Sequence, residues 1–133
     1  MKRLSDTMFV AGQIAPEEIA GLGVAMIVNN RPDGEEAGQP TSDAIAAAAE
    51  AAGVQYRHIP VAGGLSLPLV TQMADALAAA DGAVLAFCKS GTRSAFLWAL
   101  ARSRLGADSE ELIEQAAAAG YDLSPIRGFL AQG

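Results

Sequence analysis

The run Ala83-Val84-Leu85-Ala86-Phe87-Cys88-Lys89-Ser90-Gly91-Thr92-Arg93-Ser94 decides how this chain is read. After the Asp81-Gly82 turn, its first five residues are all apolar and predict a short buried strand that ends at Cys88. Residues 93–104 then carry Ala95-Phe96-Leu97-Trp98-Ala99-Leu100-Ala101, apolar almost all round, as expected of a buried helix with Trp98 in the core. In an open α/β sheet the C-terminal ends of the strands face the crevice that binds ligands. A tight turn from strand to helix brings its N–H groups and the positive end of the helix dipole above the cysteine sulfur, which suits an anion and stabilises a thiolate. Arg93 adds a fixed positive charge, and Gly91 lets the backbone curl where a side chain would obstruct a ligand. A lone cysteine at a strand end is most often a buried apolar thiol. Such a thiol has no need of the small residues, the glycine, the arginine and the serine that surround Cys88, whereas each of them serves an anion cradle.

Working outward, Val24-Ala25-Met26-Ile27-Val28-Asn29 predicts a second buried strand, and Val54-Gln55-Tyr56-Arg57-His58-Ile59-Pro60-Val61 alternates like a third. Met8–Ala11 is expected to add a short strand at one edge. Pro16-Glu17-Glu18 opens a short helix over about 16–22, Thr41 or Ser42 caps an Ala-rich helix to about Ala52, and Ser66 caps another to about Ala80. Two more helices are expected, over about 108–119 with Ser109 as cap and over about 125–131. Residues 30–40 hold two prolines and no periodicity, the mark of a long surface loop. Strands alternating with helices give an α/β fold with a small, largely parallel sheet flanked by helices, and residues 1–133 read as one domain.

The 29 alanines and 14 glycines leave a lean core, and a net charge of −6 disfavours non-specific binding to nucleic acid or to an anionic membrane. No apolar run is long enough to span a bilayer, so neither a membrane nor a nucleic-acid partner is expected. One cysteine cannot form an internal disulfide, and with no targeting segment in view this fits a reducing cytoplasm. Cys88 and the single histidine, His58, cannot supply a zinc ligand set, so no metal is expected, and chemistry at a cysteine nucleophile requires no cofactor. His58 itself reads as a hydrogen-bonded structural residue.

Four segments, Gly12-Gln13-Ile14, Val28-Asn29-Asn30-Arg31-Pro32-Asp33-Gly34-Glu35-Glu36, Tyr56-Arg57-His58-Ile59-Pro60-Val61 and Phe87-Cys88-Lys89-Ser90-Gly91-Thr92-Arg93-Ser94, resemble the bacterial phosphatase-like domains associated with beta-lactamase hydrolase-like proteins, often labelled sulfur transferases. The resemblance covers nearly the whole chain. It implies a fold like that of dual-specificity cysteine phosphatases, with Cys88 as nucleophile and Arg93 as the anion-binding arginine.

Two departures from the phosphatase pattern bear on the reaction. Phosphatases place five residues between a His-Cys pair and the arginine; here Phe87 precedes Cys88 and only residues 89–92 intervene before Arg93. The shorter spacing resembles the rhodanese loop, which suits a transferred sulfur better than a phosphoryl group. The segment after Val61, where such phosphatases carry an acid, reads Ala62-Gly63-Gly64, so Asp33 or Glu35 is left as a substitute donor. The plainer reading of Arg31, Asp33, Glu35 and Glu36 is a solvated polar loop, and Arg31 and Asp33 could equally brace the cradle. The expectation is therefore a persulfide-forming sulfurtransferase, with Cys88, Arg93 and Asp33 catalytic and Lys89, Ser90, Gly91, Thr92, Ser94 and Arg31 binding substrate. Its partners would be a small or thiol sulfur donor and acceptor. The alternatives are a phosphatase acting on a phosphorylated substrate through phosphocysteine, and a binding module without turnover.

Overall fold

The computed structural model describes residues 1–130. Five strands form one sheet: β1 (Lys2–Ser5), β2 (Met8–Ala11), β3 (Met26–Asn29), β4 (Gln55–His58) and β5 (Val84–Phe87). Their spatial order is β1-β2-β5-β3-β4, and every pairing is parallel except the β1–β2 hairpin. Helices α1 (Ser42–Ala51), α2 (Leu67–Ala79), α3 (Thr92–Arg104) and α4 (Ser109–Ala118) cover the two faces. The expected mixed α/β architecture is what the chain adopts.

Alternation along the central strands sorts the core. Val84 and Ala86 of β5, with Met26 and Val28 of β3, pack beneath α2, α3 and α4. Leu85, Phe87 and Ile27 face the opposite side, against Ile19 and the α1 residues Ile45 and Ala49. Alanines 95, 99 and 101 of α3 are fully buried and let that helix sit close on the sheet, with Trp98 in the core.

The structure departs from expectation in four places. Met8–Ala11 is not an edge strand but lies between β1 and β5, because Lys2–Ser5 pairs outside it. That edge strand buries only Leu4 and turns Lys2 and Arg3 to solvent, a charged rim that discourages further pairing. Asp108, not Ser109, caps α4, its carboxylate accepting the Glu111 N–H at 3.1 Å. The segments at Pro16–Gly21 and Ser124–Phe129 are 3-10 helices rather than α-helices, each opened by a proline in its first turn. The expected extension of the last helix to residue 131 lies outside the described residues. Among those residues, no helix is long and apolar enough to cross a membrane.

Candidate active site

The sheet order brings four strand ends together at one edge of the fold. Cys88 follows central β5 and is flanked by the segments leaving β2 and β3, with Val61 beyond β4 completing the set. Asn30 fastens them: its N–H donates to Phe87 O at 2.8 Å, its carbonyl accepts from Val61 N at 3.0 Å, and its Nδ2 donates to Ile59 O at 2.9 Å. The remaining amide oxygen of this fully buried side chain accepts the Ser94 hydroxyl at 2.8 Å, tying the start of α3 to the end of β3.

Cys88 is 1% exposed, at the floor of the loop. Its burial pushes the thiol pKa up, but the Ser94 and Ser90 N–H groups, the Ser94 hydroxyl and the Gly91 N–H together outweigh burial and hold it below the ordinary value. The Gly91 N–H donates to Sγ at 3.1 Å. Gly91 is the N-cap of α3 with φ +92°, a left-handed conformation that glycine adopts without steric cost. Gly12 backs the same loop; a Cβ there would lie 2.9 Å from Lys89 O.

Arg93 is not a free cation. Its Nη1 donates to Glu35 Oε2 at 2.9 Å and to Val61 O at 2.8 Å, and its Nη2 donates to Glu35 Oε1 at 2.8 Å. Hydrogen bonding to Glu35 raises its pKa against the effect of burial, and the charge of Cys88 adds to the rise. The N–H groups, rather than the Arg93 charge, thus lead in stabilising a thiolate at Cys88.

Arg31 carries the other half of this network and is 1% exposed. Nε donates to Glu35 Oε1 at 3.0 Å, Nη1 to Gln13 Oε1 at 3.0 Å and Nη2 to Glu36 Oε1 at 2.8 Å. Burial disfavours its charge, and the two carboxylates more than compensate. The Arg93 hydrogen bond is the chief reason that the Glu35 carboxyl falls to about 2, with Arg31 adding to it against burial.

The residues singled out from sequence divide accordingly. Cys88, Ser90, Gly91, Arg93 and Ser94 converge on the sulfur or its loop. Ser90 Oγ donates to Thr92 Oγ1 at 3.1 Å, within the loop, while Lys89 Nζ is 3.8 Å from Glu36 Oε2 in an exposed pair. Arg31 is expected to bind substrate, yet its guanidinium is spent on three protein groups beneath the loop. Asp33, the expected proton donor, instead accepts the Ser42 N–H at 2.8 Å at the start of α1. Glu35 is the carboxylate that reaches Arg93. His58 Nε2 lies 3.0 Å from Arg31 O, a hydrogen-bonded structural position.

Sequence reasoning missed Gln13 and Asn30 as supports, and Tyr121, whose hydroxyl donates to Ser90 O at 3.3 Å. Polar asparagines closing an apolar strand were a signal for Asn30. Nothing local marks Tyr121.

Residues 1–106 match the family described as beta-lactamase hydrolase-like protein, phosphatase-like domain. The chain is 37% identical over 127 residues to the beta-lactamase hydrolase-like protein of Xylella fastidiosa (strain Temecula1) and 36% identical over 130 residues to that of Agrobacterium fabrum (strain C58). These alignments cover 90% and 91% of this chain but 29% of each relative. A candidate phosphatase of Neisseria meningitidis Z2491 superposes with a TM-score of 0.81 at 34% identity, covering 97% of this chain and 94% of that one. The catalytic core of a PP-IP phosphatase from S. cerevisiae, at 13% identity and TM-score 0.69, covers 96% and 81% and shares the fold. By family match, by identity and by structure, the chain belongs to the phosphatase-like domains of the beta-lactamase hydrolase-like proteins.

Proposed function

We propose that Cys88 is a thiolate nucleophile and that the reaction it serves is sulfur transfer through a persulfide. The observation carrying this reading is the state of the carboxylates around the loop. Glu35 has its pKa lowered to about 2, so it is ionised at neutral pH; Asp33 is turned to Ser42 N, and Glu36 is paired with Arg31. Residues 62–64 bring no carboxylate.

Sulfur transfer needs no proton donor. The Cys88 thiolate attacks the outer sulfur of thiosulfate, a Cys88–S bond forms, the S–S bond of thiosulfate breaks, and sulfite leaves with the electron pair. The persulfide anion carries the charge the thiolate brought. An acceptor such as cyanide or a thiolate then takes the outer sulfur and returns Cys88 as thiolate. Backbone N–H groups around Sγ would hold both anionic forms, and Arg93, fixed by Glu35 and Val61, would meet the donor's oxyanion. A reducing cytoplasm would keep Cys88 free between turnovers.

A second reading rests on the comparisons, which support it more directly than the first: the family is described as phosphatase-like, and the Neisseria relative is a candidate phosphatase. The same thiolate would attack phosphorus, forming phosphocysteine and expelling an alkoxide or phenolate. With Glu35 ionised and held by the two arginines, only leaving groups of low pKa would depart readily, because losing general-acid help costs about 10²–10⁴-fold.

Steady-state assays with thiosulfate and cyanide, para-nitrophenyl phosphate and a phosphotyrosine peptide separate the two. Sulfur transfer is expected to be fastest, aryl phosphate hydrolysis slow and peptide hydrolysis slowest, all lost in Cys88→Ser. Efficient peptide hydrolysis without sulfur transfer would establish the phosphatase reading instead.

A further inference from the structure

The Gly91 N–H that donates to Cys88 Sγ belongs to the Ser90–Gly91 peptide, and the carbonyl of that peptide accepts the Tyr121 hydroxyl at 3.3 Å. A peptide unit is planar and turns as one body, with its N–H and C=O pointing to opposite sides. A hydroxyl that holds the oxygen therefore fixes the aim of the hydrogen. The restraint matters at this plane because Gly91, with no Cβ, can rotate between conformations that other residues cannot share. Turned over, the plane would set the Ser90 carbonyl against the sulfur, replacing a donor with an acceptor.

Tyr121 comes from outside the loop, one residue beyond Gly120 at the end of α4, and is half-buried. Its Oη occupies the space where a Cβ on Gly91 would lie, only 2.2 Å away. Burial first and the Cys88 charge second raise the pKa of its phenol, so the hydroxyl remains a donor across the neutral range.

We propose that Tyr121 is a positioning residue of this site, holding the Ser90–Gly91 peptide so that its N–H stays aimed at Cys88. The proposal deepens the reading of Cys88 as a stabilised thiolate and rests on it. It concerns the resting thiolate, so its test is independent of which substrate is turned over.

The experiment is iodoacetamide alkylation of Cys88 as a function of pH in the wild type, Tyr121→Phe and Tyr121→Leu, with thermal melting of each. Loss of one hydrogen bond to the plane is expected to raise the midpoint similarly in both variants, so that alkylation near pH 6 slows about 3- to 10-fold. The limiting rate at high pH should be unchanged. An unaltered midpoint in Tyr121→Phe overturns the proposal, as does a shift confined to Tyr121→Leu, which would assign the effect to ring packing. A wild-type midpoint at or above the ordinary thiol value of ~8.5 removes the underlying thiolate reading, and the proposal with it. A lowered wild-type midpoint that Tyr121→Phe leaves in place removes the proposal alone.

Discussion

Glu35 holds Arg93 by both of its terminal nitrogens, at 2.8 and 2.9 Å, across 58 positions of sequence. The same carboxylate accepts from buried Arg31, so the 31–36 loop and the Cys88 loop are joined through one acidic group. A planar guanidinium fixed at one edge leaves its remaining N–H groups in a defined direction, which is what recognition of an oxyanion requires.

Removal of Glu35 therefore should act on stability and on orientation together. Its pKa is lowered in the folded protein, so its contribution is complete above the ordinary value of 4.5 and disappears as pH falls toward about 2. Urea unfolding of the wild type should lose stability across that window, and Glu35→Gln should lack this component of the acid dependence. At pH 7 the variant should be less stable by about 2 kcal/mol, the scale of hydrogen bonds to charged groups.

Arg31→Met tests the buried end of the network. It would leave Glu35 with one cationic partner and Gln13 and Glu36 without their guanidinium contacts. A loss of about 1–3 kcal/mol in chemical denaturation is expected, because the carboxylates left behind are partly exposed and Glu35 keeps Arg93. Arg31→Lys should recover only part of it, since an ammonium cannot span three acceptors as the fork does.

Ser94 has two competing effects. Its one hydroxyl proton is donated to the buried Asn30 oxygen and, turned to the Cys88 sulfur instead, helps lower the Cys88 pKa. Ser94→Ala should cost about 1–3 kcal/mol through the unpaired Asn30 oxygen and should move the alkylation midpoint upward. A variant with an unmoved midpoint would leave thiolate stabilisation to the backbone N–H groups and the Arg93 charge.

Gly12→Ala probes the wall behind the loop. The added methyl would meet Lys89 O at 2.9 Å, and backbone rather than a flexible side chain must give way. Overpacking of this kind costs about 1–3 kcal/mol, while displacement of the loop should lower turnover at least tenfold. Comparing kcat with melting temperature in this variant separates loop geometry from overall stability.

Much of this was legible in the chain. The apolar run into Cys88 and the helix beyond it follow from periodicity, and Thr41 and Ser66 are the caps found at α1 and α2. At α4 two capping residues stand side by side, and only geometry selects Asp108 over Ser109. The first strand was hidden because charged residues outnumber apolar ones in it. For the site, local sequence identifies Cys88, Gly91 and Arg93, since their spacing is itself the loop. It cannot decide between Asp33 and Glu35, two residues apart, because the choice is made by a distant arginine. Tyr121 is farther still, brought to Ser90 by the packing of α3 and α4 rather than by any pattern in its own segment.

Acceptance of sulfur by Cys88 is read by intact-protein and peptide mass spectrometry after brief exposure to thiosulfate. A mass gain of one sulfur atom located on Cys88, discharged by cyanide and absent from Cys88→Ser, is expected. An unmodified Cys88 after thiosulfate, with a phosphoryl group trapped on the same residue from para-nitrophenyl phosphate, would contradict it.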